Sequence, residues 1–203
     1  MHPPCILTRL SSTACVGSVQ GLLLGNGKAN AEAAYAAKQA GASSFVYVSV
    51  ASEVVDARGW LPPFFDGYFD GKAQAESAIS EAFADSATFV KPSFIYGGEE
   101  FGLFPPRVNS GYGSGVEELL SNGVITAVAD KLPGLIKVAL RPPVSVDAVA
   151  GACSAAALGS IPAGVLDGTC AINMAVGQPA ASGLSDLGKA LKAKLAQLTE
   201  EKA

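Results

Sequence analysis

Two runs of β-branched and aromatic residues dominate the sequence, SFVYVSV at 44–50 and TFVKPSFIY at 88–96, with one helix-sized segment, 66–83, between them. The first is apolar at nearly every position and reads as a strand covered on two faces, the mark of a parallel sheet; the second reads as the next strand, with Pro92 near its end. A crossover between parallel strands needs a helix and closes right-handedly. The chain is thereby committed to the α/β class.

The flanking segments extend the pattern. Residues 13–19 read as a short buried strand and 20–27 as a glycine-leucine loop. Residues 28–40 read as a helix with Ala29, Ala33, Ala36, Ala37 and Ala40 on its apolar face, stopped by Gly41. The 51–65 stretch reads as a loop. Beyond residue 96 come a loop (97–113), a helix (114–130), an extended segment (137–146) broken by Pro142 and Pro143, a helix (147–158) and a strand (164–174). A linker at 177–183 leads to a final helix at 185–202. The domain reading is an uncertain leader, 1–12, a Rossmann-like domain, 13–176, and a linker with a C-terminal helix, 177–203.

Charge and composition exclude several classes. The formal net charge is −4 with no cluster of basic residues, which argues against nucleic acid as a partner. The only histidine is His2, and the four cysteines form no C-x-x-C pair, so neither a structural metal site nor a His-based hydrolase triad is expected. The cysteines read as buried free thiols. Residues 148–166 carry no charge but are broken by Gly159 and Pro162, and they read as a packed helix, a turn and a strand, with no transmembrane span. Residues 1–31 contain Arg9 and Lys28 but no acid. That suits either an organelle-targeting peptide, mitochondrial or plastid, or a buried strand with its loop; secretion is disfavoured.

The feature that carries chemistry is Tyr68-Phe69-Asp70-Gly71-Lys72, a Y-x-x-x-K spacing. Four residues apart on a helix means one face. An ammonium beside a phenol favours the phenolate and is expected to draw the tyrosine below its usual pKa of about 10. Such a tyrosine can pass a proton to a carbonyl oxygen as hydride arrives from a nicotinamide. By itself the motif is common; its order between SVAS and FVKPSFIYGG gives it weight.

That ordered set resembles the extended and atypical short-chain dehydrogenases/reductases. The matching pieces are the helix NGKANAEAAYAAKQAG, the strand FVYVSVAS, the motif YFDGK, the strand VKPSFIYG and the segment PPVSVDAVAGA. Within that family the chain is most similar to atypical members related to a complex I accessory subunit. The resemblance implies a Rossmann-like parallel sheet with flanking helices, missing the first β-α-β units. It implies NADP or NAD as cofactor, Tyr68 as acid/base and Lys72 as its partner. Gly17, Lys72 and the Pro92, Ser93, Phe94 segment would line the cofactor. Ser49 and Ser52 flank Ala51, near where the family carries a catalytic hydroxyl, and Lys91 stands where the family favours arginine. No G-x-x-G-x-x-G turn is found to grip a pyrophosphate. The implied partners are a small or lipid-like substrate, or a larger organellar complex that uses the fold for assembly. Trp60, Phe64 and Phe65 are expected to pack beneath a loop, the other use being to cover a quinone or isoprenoid.

Overall fold

The computed structural model describes residues 18–97 and 141–178, and the backbone of three short strand segments at 6–7, 102–103 and 106–108. The chain is mixed α/β, with a small parallel sheet between helices. Strands β1 (Ile6–Leu7), β2 (Phe45–Val48) and β3 (Ala87–Lys91) lie side by side in that order, and β8 (Gly164–Asp167) completes the sheet beside β3. All three pairings are parallel, with Val48 opposite Val90 and Lys91 opposite Asp167. A second sheet joins β5 (Gly102–Leu103), β6 (Pro106–Val108), β4 (Ile95–Tyr96) and β7 (Val144–Ser145).

Strand residues alternate between two cores, as a pleated strand requires. Phe45, Tyr47, Ala87 and Phe89 face a core shared with Ala34 and Ala37 on one side and Ala75, Ile79 and Phe83 on the other. Val46 and Val90 face the opposite core, with Val144, Ala148, Val149, Ala152, Cys153 and Ile172. The first core lies under helices α2 (Ala29–Gln39) and α4 (Asp66–Phe83), the second under α5 (Val146–Ala157) and α6 (Gly168–Ala175). Burial on both faces is what the unbroken apolar strands predict.

Helix α4 has the bounds expected from sequence, and α5 differs from expectation by one residue at each end. The Ser145 hydroxyl caps α5 by accepting the Ala148 N–H at 3.1 Å. The uncharged stretch resolves into that helix, a turn and β8. No described helix is long and apolar enough to cross a membrane.

Several expectations are corrected. The 20–27 loop is helical: α1 (Val19–Leu23) runs through a π-helical turn (Leu24–Lys28) into α2. Ser18 caps it, its hydroxyl accepting the Gly21 N–H at 3.0 Å. A π turn leaves carbonyls poorly served. Asn26 donates to the Leu22 carbonyl at 2.9 Å, and Asn30 donates to those of Gly25 and Asn26 at 3.1 and 2.9 Å. The wide turn also rotates the buried face. Asn30, Ala31, Ala34 and Ala37 point inward, so of the five alanines expected there only Ala37 is buried. The strand expected over 88–96 ends at Lys91 and resumes at Ile95 in the other sheet, because Pro92 cannot donate to the ladder. The strand expected over 164–174 stops at Asp167. Gly168, at φ +78°, turns the chain into α6. The 51–65 loop holds a short helix, α3 (Ser52–Asp56), and two 3₁₀ turns. The first strand lies at Ile6–Leu7, inside the expected leader, and Val19 opens a helix instead of closing a strand. Cys153 is buried, but Cys170 is exposed. The helices expected at 114–130 and 185–202 lie outside the described residues, as do Gly17 and most of the 13–19 strand and the 177–183 linker.

Gly27, inside the segment expected to be a loop, and two glycines of α4 serve close packing. Gly67 and Gly71, one turn apart on α4, meet the α1–π–α2 helix backbone to backbone. A Cβ on Gly71 would stand 3.0 Å from the Gly27 nitrogen and 3.1 Å from the Leu23 carbonyl oxygen, and one on Gly67 would run into the Val19 carbonyl. Gly71→Ala, which in an open helix gains up to about 1 kcal/mol, should here cost about 1–3 kcal/mol by overpacking. Gly59→Ala, whose Cβ meets nothing within 4 Å, is the control. Thermal unfolding should show Gly71→Ala melting several degrees lower and Gly59→Ala melting with the parent.

Candidate functional site

The close crossing fixes which residues of α4 reach the sheet. Gly67, Gly71 and Ala75 are buried, and Tyr68, Lys72 and Glu76 follow one position behind along the same side. These three lie over the carboxyl ends of β2 and β3, where parallel α/β sheets present their sites.

The Lys72 ammonium donates to the Val48 carbonyl at 3.0 Å. It lies 4.8 Å from the Tyr47 ring centroid and 5.7 Å from that of Tyr68. Both are cation–π distances. Burial draws the Lys72 pKa down to about 8, against the pull of Glu76, which favours the charged form. Burial pushes Tyr68 up to about 12. The expectation that Lys72 would draw the phenol down is thus corrected. The cation sits against the ring face and is itself desolvated, so loss of water decides the phenol's acidity. Tyr47, also raised, chiefly by burial and then by Tyr68 and Glu76, has its hydroxyl 3.4 Å from the Asn26 carbonyl in the π turn. At neutral pH both phenols keep their protons.

Ser49 and Ser52 part company. Ser49 is buried, and its hydroxyl donates to Glu76 Oε1 at 2.5 Å. The other oxygen of Glu76 meets the Lys91 ammonium at 2.6 Å. Ser52 is exposed at the start of α3, and its N–H donates to the Asp167 carboxylate at 3.1 Å. Ala51, between them, is fully buried and its N–H donates to the Pro92 carbonyl at 3.1 Å. The fold therefore brings Tyr68, Lys72 and Ser49 together and leaves Ser52 outside.

Pro92 and Ser93 are buried and Phe94 is partly so. Ser93 faces the Pro142 carbonyl at 3.5 Å, and Thr169 donates to the same oxygen. This segment links the two sheets. Arg141 and Glu53 form an ion pair of 2.8 Å that is largely buried and ties α3 to it. Among the described residues no glycine turn stands ready for a pyrophosphate. The Lys72 ammonium has three N–H groups and spends one on Val48.

Two members escaped the sequence reading. Glu76 continues the spacing to Tyr68, Lys72, Glu76, so the next i+4 position was its signal. Tyr47 shares a strand face with Ser49, which period-two alternation encodes. The expectation for the aromatic loop is corrected too: Trp60 is 66% exposed and Phe64 43% exposed. Phe64 stacks on Phe65 at 4.3 Å, which leaves an apolar face beside the start of α4.

An uncharacterized chloroplastic protein of Arabidopsis thaliana is 39% identical over 74 residues, which cover 36% of this chain and 23% of that protein. The chain thus spans less than a quarter of the length of the curated relative it matches. That protein's plastid location agrees with the organellar expectation. No family model matches the chain, and no solved structure matches it.

The perturbed pair gives a signed pH dependence. Lys72 titrates near 8 when folded and near its ordinary 10.5 when unfolded. The unfolded chain therefore holds more protons between those values, and the Lys72 contribution to stability rises with pH across that window. Tyr68 acts oppositely from about 10 to about 12, where the folded chain holds more. Thermal unfolding from pH 7.5 to 10 should show the parent gaining on Lys72→Met as pH rises. Parallel curves would place the Lys72 titration elsewhere.

Proposed function

We propose that this chain is an NAD(P)-binding, oxidoreductase-like protein of the atypical short-chain dehydrogenase class, with a Rossmann-like fold, acting in an organelle, the plastid by likeness to its relative. The observation that carries the reading is the Tyr68–Lys72 pair with Ser49 at the carboxyl ends of a parallel sheet. A bound nicotinamide would supply hydride. Lys72, with two N–H groups to spare, would hold ribose hydroxyls, and the protonated Tyr68 would donate its proton to a carbonyl oxygen. The Pro92–Phe94 segment would flank the nicotinamide. Exposed Trp60 and Phe64 favour an apolar substrate of quinone or isoprenoid type.

A second reading is a non-catalytic accessory or assembly subunit of an organellar complex. It is favoured by the inward pairing of the site: Ser49 spends its proton on Glu76, and Lys72 leans on Val48.

Titration with NADPH, followed by nicotinamide fluorescence, separates the two. The oxidoreductase reading expects saturable binding in the micromolar range. It expects about tenfold weaker binding for Lys72→Met, as for one lost hydrogen bond to a charged group. It also expects Tyr68→Phe to bind normally while losing about 100-fold or more in carbonyl reduction. Absence of saturable binding in the parent chain would leave the accessory reading.

A further inference from the structure

We infer that Glu76 is a positioning residue of the site. One carboxylate holds the Ser49 hydroxyl with one oxygen and the Lys91 ammonium with the other, and so sets the direction of Ser49's hydrogen bond and the electrostatic setting of Lys72. The inference deepens the oxidoreductase reading and rests on it for its catalytic meaning, though not for its geometry.

A serine hydroxyl has one proton and a carboxylate has none to give. At 2.5 Å, with the hydroxyl as donor, that proton is committed to Glu76 Oε1. Ser49 then offers only lone pairs to anything else in the site. A substrate carbonyl, itself an acceptor, finds no donor in Ser49. A substrate hydroxyl, or the Tyr68 O–H, finds an acceptor. Proton donation to a carbonyl oxygen accordingly does not fall to Ser49, and on the oxidoreductase reading it falls to Tyr68.

Placement of the carboxylate follows from three elements meeting. Glu76 projects from α4 one turn after Lys72. Ser49 directly follows β2, its N–H donating to the Val90 carbonyl at 2.8 Å, and Lys91 ends β3. The Lys91–Glu76 contact of 2.6 Å is mostly shielded, with side-chain exposures of 15% and 25%, so the charges act at short range in a poor solvent. The groups facing Lys72 are the Tyr47 ring and Val48 carbonyl from β2, and Tyr68 and Glu76 from its own helix; Lys91 acts from β3 through Glu76. On the neighbouring helix Lys28 and Glu32 pair with each other at the surface, 3.8 Å apart. Among the described residues, Glu76 is thus the carboxylate that favours the Lys72 charge.

The test is the pH midpoint for labelling of Lys72 by an amine-selective reagent, read by mass spectrometry on the full chain. Glu76→Gln should lower the midpoint by about one pH unit, while Glu76→Asp, which keeps the charge, should stay within about half a unit of the parent. An unchanged midpoint in Glu76→Gln, or an equal fall in both variants, overturns the inference and reduces Glu76 to a structural partner of Lys91. Should Glu76→Gln not fold, Lys91→Met decides. Glu76 freed of its cation should raise the Lys72 midpoint, and no rise would overturn the inference. Ser49→Ala with Glu76→Gln supplies a double-mutant cycle in stability, where additivity would refute the serine contact. NADPH fluorescence on the same samples keeps the outcomes apart. Silence with the expected midpoints rejects the oxidoreductase reading and leaves the positioning role standing.

Discussion

The backbone contact between α4 and the α1–π–α2 helix is the constraint on which the rest depends. Gly67 and Gly71 bring α4 against the backbone of Val19, Leu23 and Gly27, where a Cβ would find no room. That approach sets the depth and rotation of α4 over the sheet. With Ala75 and Ile79 held against Phe45 and Tyr47, the residues one position behind the glycines arrive at the ends of β2 and β3. Tyr68, Lys72 and Glu76 reach those ends because the crossing is tight. A bulkier crossing would lift all three away together.

Desolvation governs the chemistry of what is gathered there. Two phenols, two ammonium groups and one carboxylate share a small, mostly shielded volume. Burial raises both tyrosines and lowers Lys72, so the pair is more nearly neutral than an exposed helical pair would be. Water lost around Lys72 is replaced by the Val48 carbonyl and two ring faces, a weaker environment for a cation. Glu76 supplies the compensating charge. With both phenols raised by burial, the set holds tyrosines in their neutral form at ordinary pH.

Much of the fold was legible because two signals were strong. Unbroken β-branched strands announce burial on both faces, and they gave β2, β3 and the parallel sheet. Residues 66–83 form a helix with the bounds the sequence suggested, since the propensities of Ala, Glu and Lys outweigh two glycines. The failures have physical causes. Gly27 carries the same local signal whether it makes a loop or permits a close crossing, and only the partner helix decides. The π turn shifts the helix face through asparagine-to-carbonyl bonds that no periodicity announces. Pro92 and Gly168 were visible, but redirection of the chain there depended on neighbouring strands. For the site, Tyr68 and Lys72 were legible from spacing, whereas the choice of Ser49 over Ser52 needed the end of β2 to be known.

The proposed oxidoreductase reading requires a nicotinamide dinucleotide to lie against Lys72. Protection of that one amine tests it most directly. Labelling at pH 8 with and without saturating NADPH, read residue by residue, should show Lys72 slowed severalfold while the surface amine Lys28 reacts unchanged. Equal labelling of Lys72 in both samples would contradict it.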